Sequence, residues 1–255
     1  MRQTAGEAEL TSFVGREADM AEGRRLLGGA RLVTLIGPGG VGKTRLARRL
    51  AADAARAFPD GVYVVELAEL RDPDLLESRL ASGLGLEGLT DSPAGSVPEF
   101  LERRAPLVVL DNCEHLVEDV AALLRRLLRE SPGLKVLTTS RQPLGVQGEQ
   151  LMTVAPLSLP EGSGPGAGRS SEAVQLFTER ARLVVPGFEV DARNAEAVGR
   201  LCTVLDGMPL AIELAAARLR LLSVEQLAER LQDRFGILSV AANAARAGLP
   251  HHQTL

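Results

Sequence analysis

Eight residues, Gly37-Pro38-Gly39-Gly40-Val41-Gly42-Lys43-Thr44, set the terms for the rest of the chain. Their spacing is G-x-x-x-x-G-K-[ST], and each residue type in it meets a physical demand. Glycine reaches positive φ without a steric cost, so backbone N–H groups can turn inward and form a concave nest for phosphate oxygens. Lys43 adds a mobile positive charge for β- and γ-phosphates, and Thr44 adds a hydroxyl for Mg2+. Upstream, Arg31-Leu32-Val33-Thr34-Leu35-Ile36 reads as a buried parallel strand. Downstream, Leu46, Ala47, Leu50, Ala51, Ala54, Ala55 and Phe58 fall on one face at helical spacing. Strand, glycine loop and helix in that order bring the positive helix N-terminus to the anion. The candidate nucleotide-binding residues here are Gly37, Pro38, Gly39, Gly40, Val41, Gly42, Lys43, Thr44 and the adjoining Arg45.

The same alternation continues. Val62 to Leu67, Leu107 to Asp111, Leu134 to Thr138 and Gln150 to Val154 read as four more strands, separated by amphipathic stretches. Asp72 and Pro73 open one helix, Ser96-x-x-Glu99 is a capping box for another, and Ser131-Pro132-Gly133 stops a third. Strands alternating with helices predict a five-stranded parallel, doubly wound sheet flanked by helices, an α/β class. Aromatic residues are only 3% of the chain and tryptophan is absent, so the core must be built from Leu, Val, Ile and Ala, which suits that class. Residues 161–170, Glu-Gly-Ser-Gly-Pro-Gly-Ala-Gly-Arg-Ser, read as a flexible linker. Beyond it the pattern is helical only, with predicted helices over 171–184, 192–206 and 209–222, then one capped by Ser223-x-x-Gln226. The predicted organisation is a flexible 1–12, an α/β domain over 13–160, the linker, and an all-α subdomain over 171–255. The ending His251-His252-Gln253-Thr254-Leu255 reads as a cut within something longer.

A net charge of −4 argues against direct nucleic-acid binding, and no apolar run is long enough to span a bilayer. Cys113 and Cys202 stand far apart without a signal peptide, which predicts two buried thiols in a reducing, cytoplasmic setting. Of 29 basic residues only Lys43 and Lys135 are lysine.

Phosphate chemistry needs a second acidic group near the loop, to hold the Mg2+ water shell. Asp111, at the end of the apolar strand Leu107–Leu110, is that candidate. The unit 62–83 lies between loop and aspartate, as in the ATPase class where an extra strand separates the two motifs. Asn112 occupies the next position and cannot take a proton from water. Glu114 is the nearby alternative, either as a base or as a solvated surface group; His115 reads as a helix-start residue. Arg141, at the tip of the fourth strand, is the candidate sensor of a γ-phosphate through charge-assisted hydrogen bonds. Beside it, Thr138, Thr139 and Ser140 can reach the attacking water or Asp111. The candidate catalytic set is therefore Lys43, Asp111, Glu114 and Arg141, with Thr44 and Asp111 at the metal.

Five segments in order carry a resemblance: Phe13-Val14-Gly15-Arg16-Glu17, Gly37–Thr44, Leu107 to His115, Leu137-Thr138-Thr139-Ser140-Arg141, and Asp206-Gly207-Met208-Pro209-Leu210-Ala211. Over roughly residues 11–255 the chain resembles the signal-transduction ATPases with numerous domains (STAND), in particular the NB-ARC-like cores of bacterial LuxR-type and antibiotic-regulatory transcription factors. The resemblance implies ATP or ADP with Mg2+, Val14 main chain and Arg16 side chain at the adenine, and Pro209 against base and ribose. Methionine at 208 replaces the family's usual leucine. The family's winged-helix domain, with its histidine sensor of the ADP β-phosphate, would follow Leu255.

The expected function is a slow ATP/ADP switch regulating transcription inside a larger protein, able to self-associate in the ATP state and meeting DNA only through other domains. Three alternatives stay open. One is an AAA+-type remodelling ATPase with Arg125, Arg126 or Arg129 as fingers, another a small-molecule kinase, and the third a nucleotide-binding module without hydrolysis.

Overall fold

The computed structural model describes residues 12–86, 96–160 and 171–232. The expected linker 161–170, nearly all of the expected flexible N-terminus and the last part of the chain lie outside the described residues.

Five short apolar runs become strands: β1 Leu32–Ile36, β2 Val62–Glu66, β3 Leu107–Asp111, β4 Lys135–Ser140 and β5 Glu149–Thr153. All pair in parallel, in the order β2-β3-β4-β1-β5. The central strands β1, β3 and β4 are buried almost throughout, as parallel strands covered on both faces must be. The edges β2 and β5 are more exposed. β4 thus separates the glycine-loop strand from the Asp111 strand. The unit 62–83, which intervenes in sequence, supplies an edge strand.

Around the sheet lie α1 Glu17–Gly29, α2 Lys43–Ala54, α3 Leu76–Gly83, α4 Val97–Glu102 and α5 Val117–Glu130. α2 buries Leu46, Ala47, Leu50 and Ala51, but ends at Ala54 in a single 3-10 turn, which leaves Ala55 exposed and Phe58 half-buried. The Asp72-Pro73 signal also opens a 3-10 turn, with Asp72 accepting from Asp74 N, before α3 begins at Leu76. Ser96 caps α4 by accepting from Glu99 N at 3.3 Å. α5 buries Val120, Leu123, Leu124 and Leu127, and these join Leu110, Val108, Leu80 and Leu101 in the main core. Completely burying one such leucine is worth about 1.5–3 kcal/mol, so this aliphatic core needs no tryptophan.

The described residues up to Ala155 form one compact unit and those from Pro156 onward a second. The described part of the second unit is helical: α6 Glu172–Val184, α7 Ala195–Val204, α8 Pro209–Ala217 with a 3-10 turn to Arg220, and a helix over 224–232. α7 and α8 are shorter than their periodicity predicts. Ser171 caps α6, and Ser223 with Gln226 forms a reciprocal capping box, each side chain bonding the other's N–H. Arg180 of α6, buried, donates to Glu213 of α8 at 3.0 Å. Gly207 sits at φ +64, and a Cβ there would lie 2.3 Å from the Leu157 carbonyl oxygen. Pro209 takes the first helical position of α8, where its missing N–H costs nothing.

Candidate functional site

A parallel sheet puts the carboxyl ends of all its strands on one edge, and ligands of open α/β sheets bind there. Gly37 to Gly42 leaves β1 at that edge and runs into α2. Gly40 and Gly42 hold φ of +78 and +98, conformations that side-chain-bearing residues rarely take. A Cβ on Gly37 would stand 2.8 Å from the Val154 carbonyl oxygen, so close approach as well as turning demands glycine there. Lys43 opens α2 and folds back over the loop, its Nζ donating to the carbonyl oxygens of Gly37 at 2.9 Å and Pro38 at 3.1 Å. Burial lowers its pKa, opposed by the charges of Glu114 and Asp111 and reinforced by Arg141. Lys43 therefore lies in the field of all three other candidate catalytic residues.

Asp111 ends β3, buried. Its Oδ1 accepts from Thr44 Oγ1 at 2.9 Å and from Thr139 Oγ1 at 2.5 Å. The two candidate metal residues are thus in direct contact, a hydroxyl and a carboxylate, hard oxygens of the kind Mg2+ takes. Of the three hydroxyls flagged on β4, Thr139 is the one that touches Asp111; it also accepts from Asn112 N at 2.8 Å. Thr138 instead donates to Thr34 at 2.7 Å, and Thr34 donates to Glu149 Oε1 at 2.6 Å. The Glu149 carboxylate also accepts from the N–H groups of Leu144 and Gly145, holding the loop that follows Arg141. Sequence reasoning missed this chain of contacts.

Asn112 turns the chain sharply at φ +69 into a 3-10 turn over Cys113–His115. Cys113 is buried under the site, its Sγ on the Leu110 carbonyl, and burial pushes its thiol far above the ordinary range. His115 contacts the Leu70 carbonyl at 2.7 Å, away from the loop. Glu114 comes back to the mouth. Its Oε1 accepts from Arg141 Nε at 3.1 Å, while its buried Oε2 has no hydrogen-bond partner. The Arg141 guanidinium lies over the loop, with an Nη 3.4 Å from where a Gly39 Cβ would stand. Lys43, Thr44, Asp111, Glu114 and Arg141 are therefore brought together.

Arg16, for which the resemblance implies an adenine contact, has several partners within the protein. It caps α1 at φ +67 and is buried. One Nη donates to Ala155 O at 2.6 Å and Asp19 Oδ2 at 2.7 Å; the other donates to Val41 O at 2.7 Å. Its guanidinium thus fastens the glycine loop to the last residue of the first unit. Val14 is half-buried beside it, and Arg45 donates to Ser12 O at 2.9 Å. Pro209 belongs to the second unit.

A family described as "AAA domain" matches residues 24–141, which include the glycine loop, Asp111, Glu114 and Arg141. An uncharacterised protein of Mycobacterium tuberculosis is 42% identical over 96% of this chain and 60% of its own length. Another protein of that organism, named as an HTH-type transcriptional regulator, is 43% identical over 91% of this chain and 25% of its own length. The chain thus spans 60% of the length of the first of these relatives and a quarter of the second. Among solved structures, a Walker-type ATPase of Pyrococcus abyssi superposes with a TM-score of 0.61 at 16% identity, covering 97% of this chain and 79% of that one. A STAND protein with a tetratricopeptide-repeat sensor from Pyrococcus horikoshii gives 0.56 at 21% identity, covering 91% of this chain and 34% of that one. The sheet order, the loop geometry and the matched segment make this chain the bearer of a P-loop ATPase-like domain, followed by helices.

Proposed function

We propose that the chain is the ATP/ADP-binding core of a multidomain transcriptional regulator, a switch that hydrolyses ATP slowly. The observation that carries it is the constellation at the sheet edge: a glycine cradle, Lys43 inside it, and the Thr44–Asp111 contact beside it. The hydroxyl and carboxylate fit Mg2+, which when bound would neutralise charge on the β- and γ-phosphates. Lys43 would trade its loop carbonyls for phosphate oxygens, and Thr139 would keep Asp111 oriented. In hydrolysis the water oxygen bonds the γ-phosphorus, the bond to the ADP oxygen breaks, and Glu114 takes the water proton.

Slow turnover is supported by Asn112, which lacks a basic function, and by the ion pair that engages Glu114. The regulatory role is supported by the relative named as a transcriptional regulator and by the structural likeness to a STAND protein. DNA contact and self-association in the ATP state would belong to the longer protein. Two free buried cysteines support a cytoplasmic location; among the described residues no helix is long and apolar enough to cross a membrane. The remodelling alternative is weakened at one of its fingers, because Arg126 is engaged by Glu77.

Lys43→Ala tests the reading. Calorimetric ADP affinity should fall at least about 100-fold, the loss expected when a phosphate-bound charge is removed. Unchanged affinity would discredit the cradle. Wild-type turnover should lie below roughly 1 s−1, under the usual enzyme range; a fast, concentration-dependent rate would favour the remodelling alternative.

A further inference from the structure

Glu114 and Arg141 are both candidates for the γ-phosphate region, yet here they hold each other. Arg141 Nε donates to Glu114 Oε1 at 3.1 Å, and the guanidinium plane lies against the loop at Gly39. The second carboxylate oxygen, Glu114 Oε2, is buried and has no hydrogen-bond partner. The glutamate side chain is 17% exposed and the arginine 66%. The arginine is therefore the mobile partner, and the carboxylate is fixed by the 3-10 turn that Asn112 starts.

We infer that this ion pair is an exchange latch: the terminal phosphate of a nucleoside triphosphate competes with the Glu114 carboxylate for Arg141, and only its capture of the arginine leaves Glu114 unpaired. A guanidinium satisfies a carboxylate or a phosphate by the same forked geometry, so the two anions are alternative partners for it. A diphosphate ends short of that position and leaves the pair intact. The latch discriminates ATP from ADP at the site already proposed, and it rests on that proposal. It also gives slow hydrolysis a physical cause, since the candidate base is released only after the arginine changes partner.

Competition has a signature that a simple base role lacks. In Glu114→Gln the charged competitor is gone, and Arg141 is free for the γ-phosphate. Affinity for a non-hydrolysable ATP analogue should then rise about fivefold relative to ADP, the ratio set by a partly exposed ion pair worth about 1 kcal/mol. Removing a negative charge from the mouth tightens both nucleotides, so the quantity to read is their ratio. In an Arg141→Ala background the same Glu114→Gln change should leave that ratio unaltered, because no shared partner remains. Calorimetric titration of the four proteins with both nucleotides and Mg2+ gives the cycle. An analogue-to-ADP ratio that Glu114→Gln leaves unmoved, or moves equally with and without Arg141, overturns the latch while nucleotide binding itself stands. Failure of the wild-type protein to bind either nucleotide would instead overturn the underlying site.

Discussion

Replacing Arg16 by methionine removes a buried fork while keeping most of its apolar stem. In the wild-type protein one Nη reaches Ala155 O at 2.6 Å and Asp19 Oδ2 at 2.7 Å, and the other reaches Val41 O at 2.7 Å. Arg16 is 6% exposed, so water is poorly placed to replace it. A buried acceptor left without its donor costs about 1–3 kcal/mol. Two carbonyls lose theirs, and partial rehydration of Asp19 offsets little. The expected loss is about 3 kcal/mol, a large share of the roughly 5–15 kcal/mol that holds a domain together. For a chain of this size that corresponds to a melting midpoint lower by roughly 6–12 °C. Arg16→Lys should recover about half, because one ammonium cannot span both carbonyls with fork geometry. Thermal unfolding followed by circular dichroism reads this directly. Because Val41 is part of the glycine loop, ADP affinity should also weaken in Arg16→Met. A variant that melts with the wild type and binds ADP unchanged would refute the fastening role.

Further expectations concern separate parts of the molecule. Lys43→Met should stabilise the nucleotide-free protein slightly at neutral pH while it abolishes binding, since burial disfavours the ammonium. With its folded pKa below 10.5, Lys43 binds fewer protons folded than unfolded between those two values, so wild-type stability rises with pH across that alkaline window. The gap to Lys43→Met should therefore close there, and urea melts at neutral and alkaline pH would show a constant gap if this is wrong. Gly207→Ala forces a side chain into φ +64 with its Cβ 2.3 Å from Leu157 O, and should lower the melting midpoint by an amount equivalent to at least about 2 kcal/mol; a neutral effect would contradict that contact. Cys113 and Cys202 are buried with raised thiol pKa values, so a thiol reagent at mildly alkaline pH should label neither until denaturant is added.

Much of this was legible before any coordinates. The glycine loop and its flanking strand and helix follow from spacing and apolar periodicity, and the other four strands lie within a residue or two of where their β-branched runs end. Serine caps at 96 and 223 announce themselves because capping is a local interaction. What stayed hidden is what depends on tertiary register. Thr34 and Thr138 sit at matching positions of adjacent parallel strands, so their hydroxyls meet, but nothing within either strand says so. Two threonines interrupting otherwise aliphatic runs were the available signal. The burial of Arg16 against Val41 and Ala155 joins segments 25 and 139 residues away, beyond the reach of pattern reasoning. Helix ends were the least legible elements, as α8 shows: its periodicity runs past Ala217, but the chain tightens into a 3-10 turn there.

The central claim is that the cradle at the end of β1 holds an adenine nucleotide whose phosphates are read beside it. Its most direct test is to denature the purified protein, identify by chromatography any nucleotide released, and titrate the stripped protein with ADP and Mg2+. The account predicts released ADP or ATP and saturable rebinding at roughly micromolar concentration. A protein that releases no nucleotide, and shows no binding of ATP or ADP with Mg2+ up to roughly millimolar concentration, would contradict it.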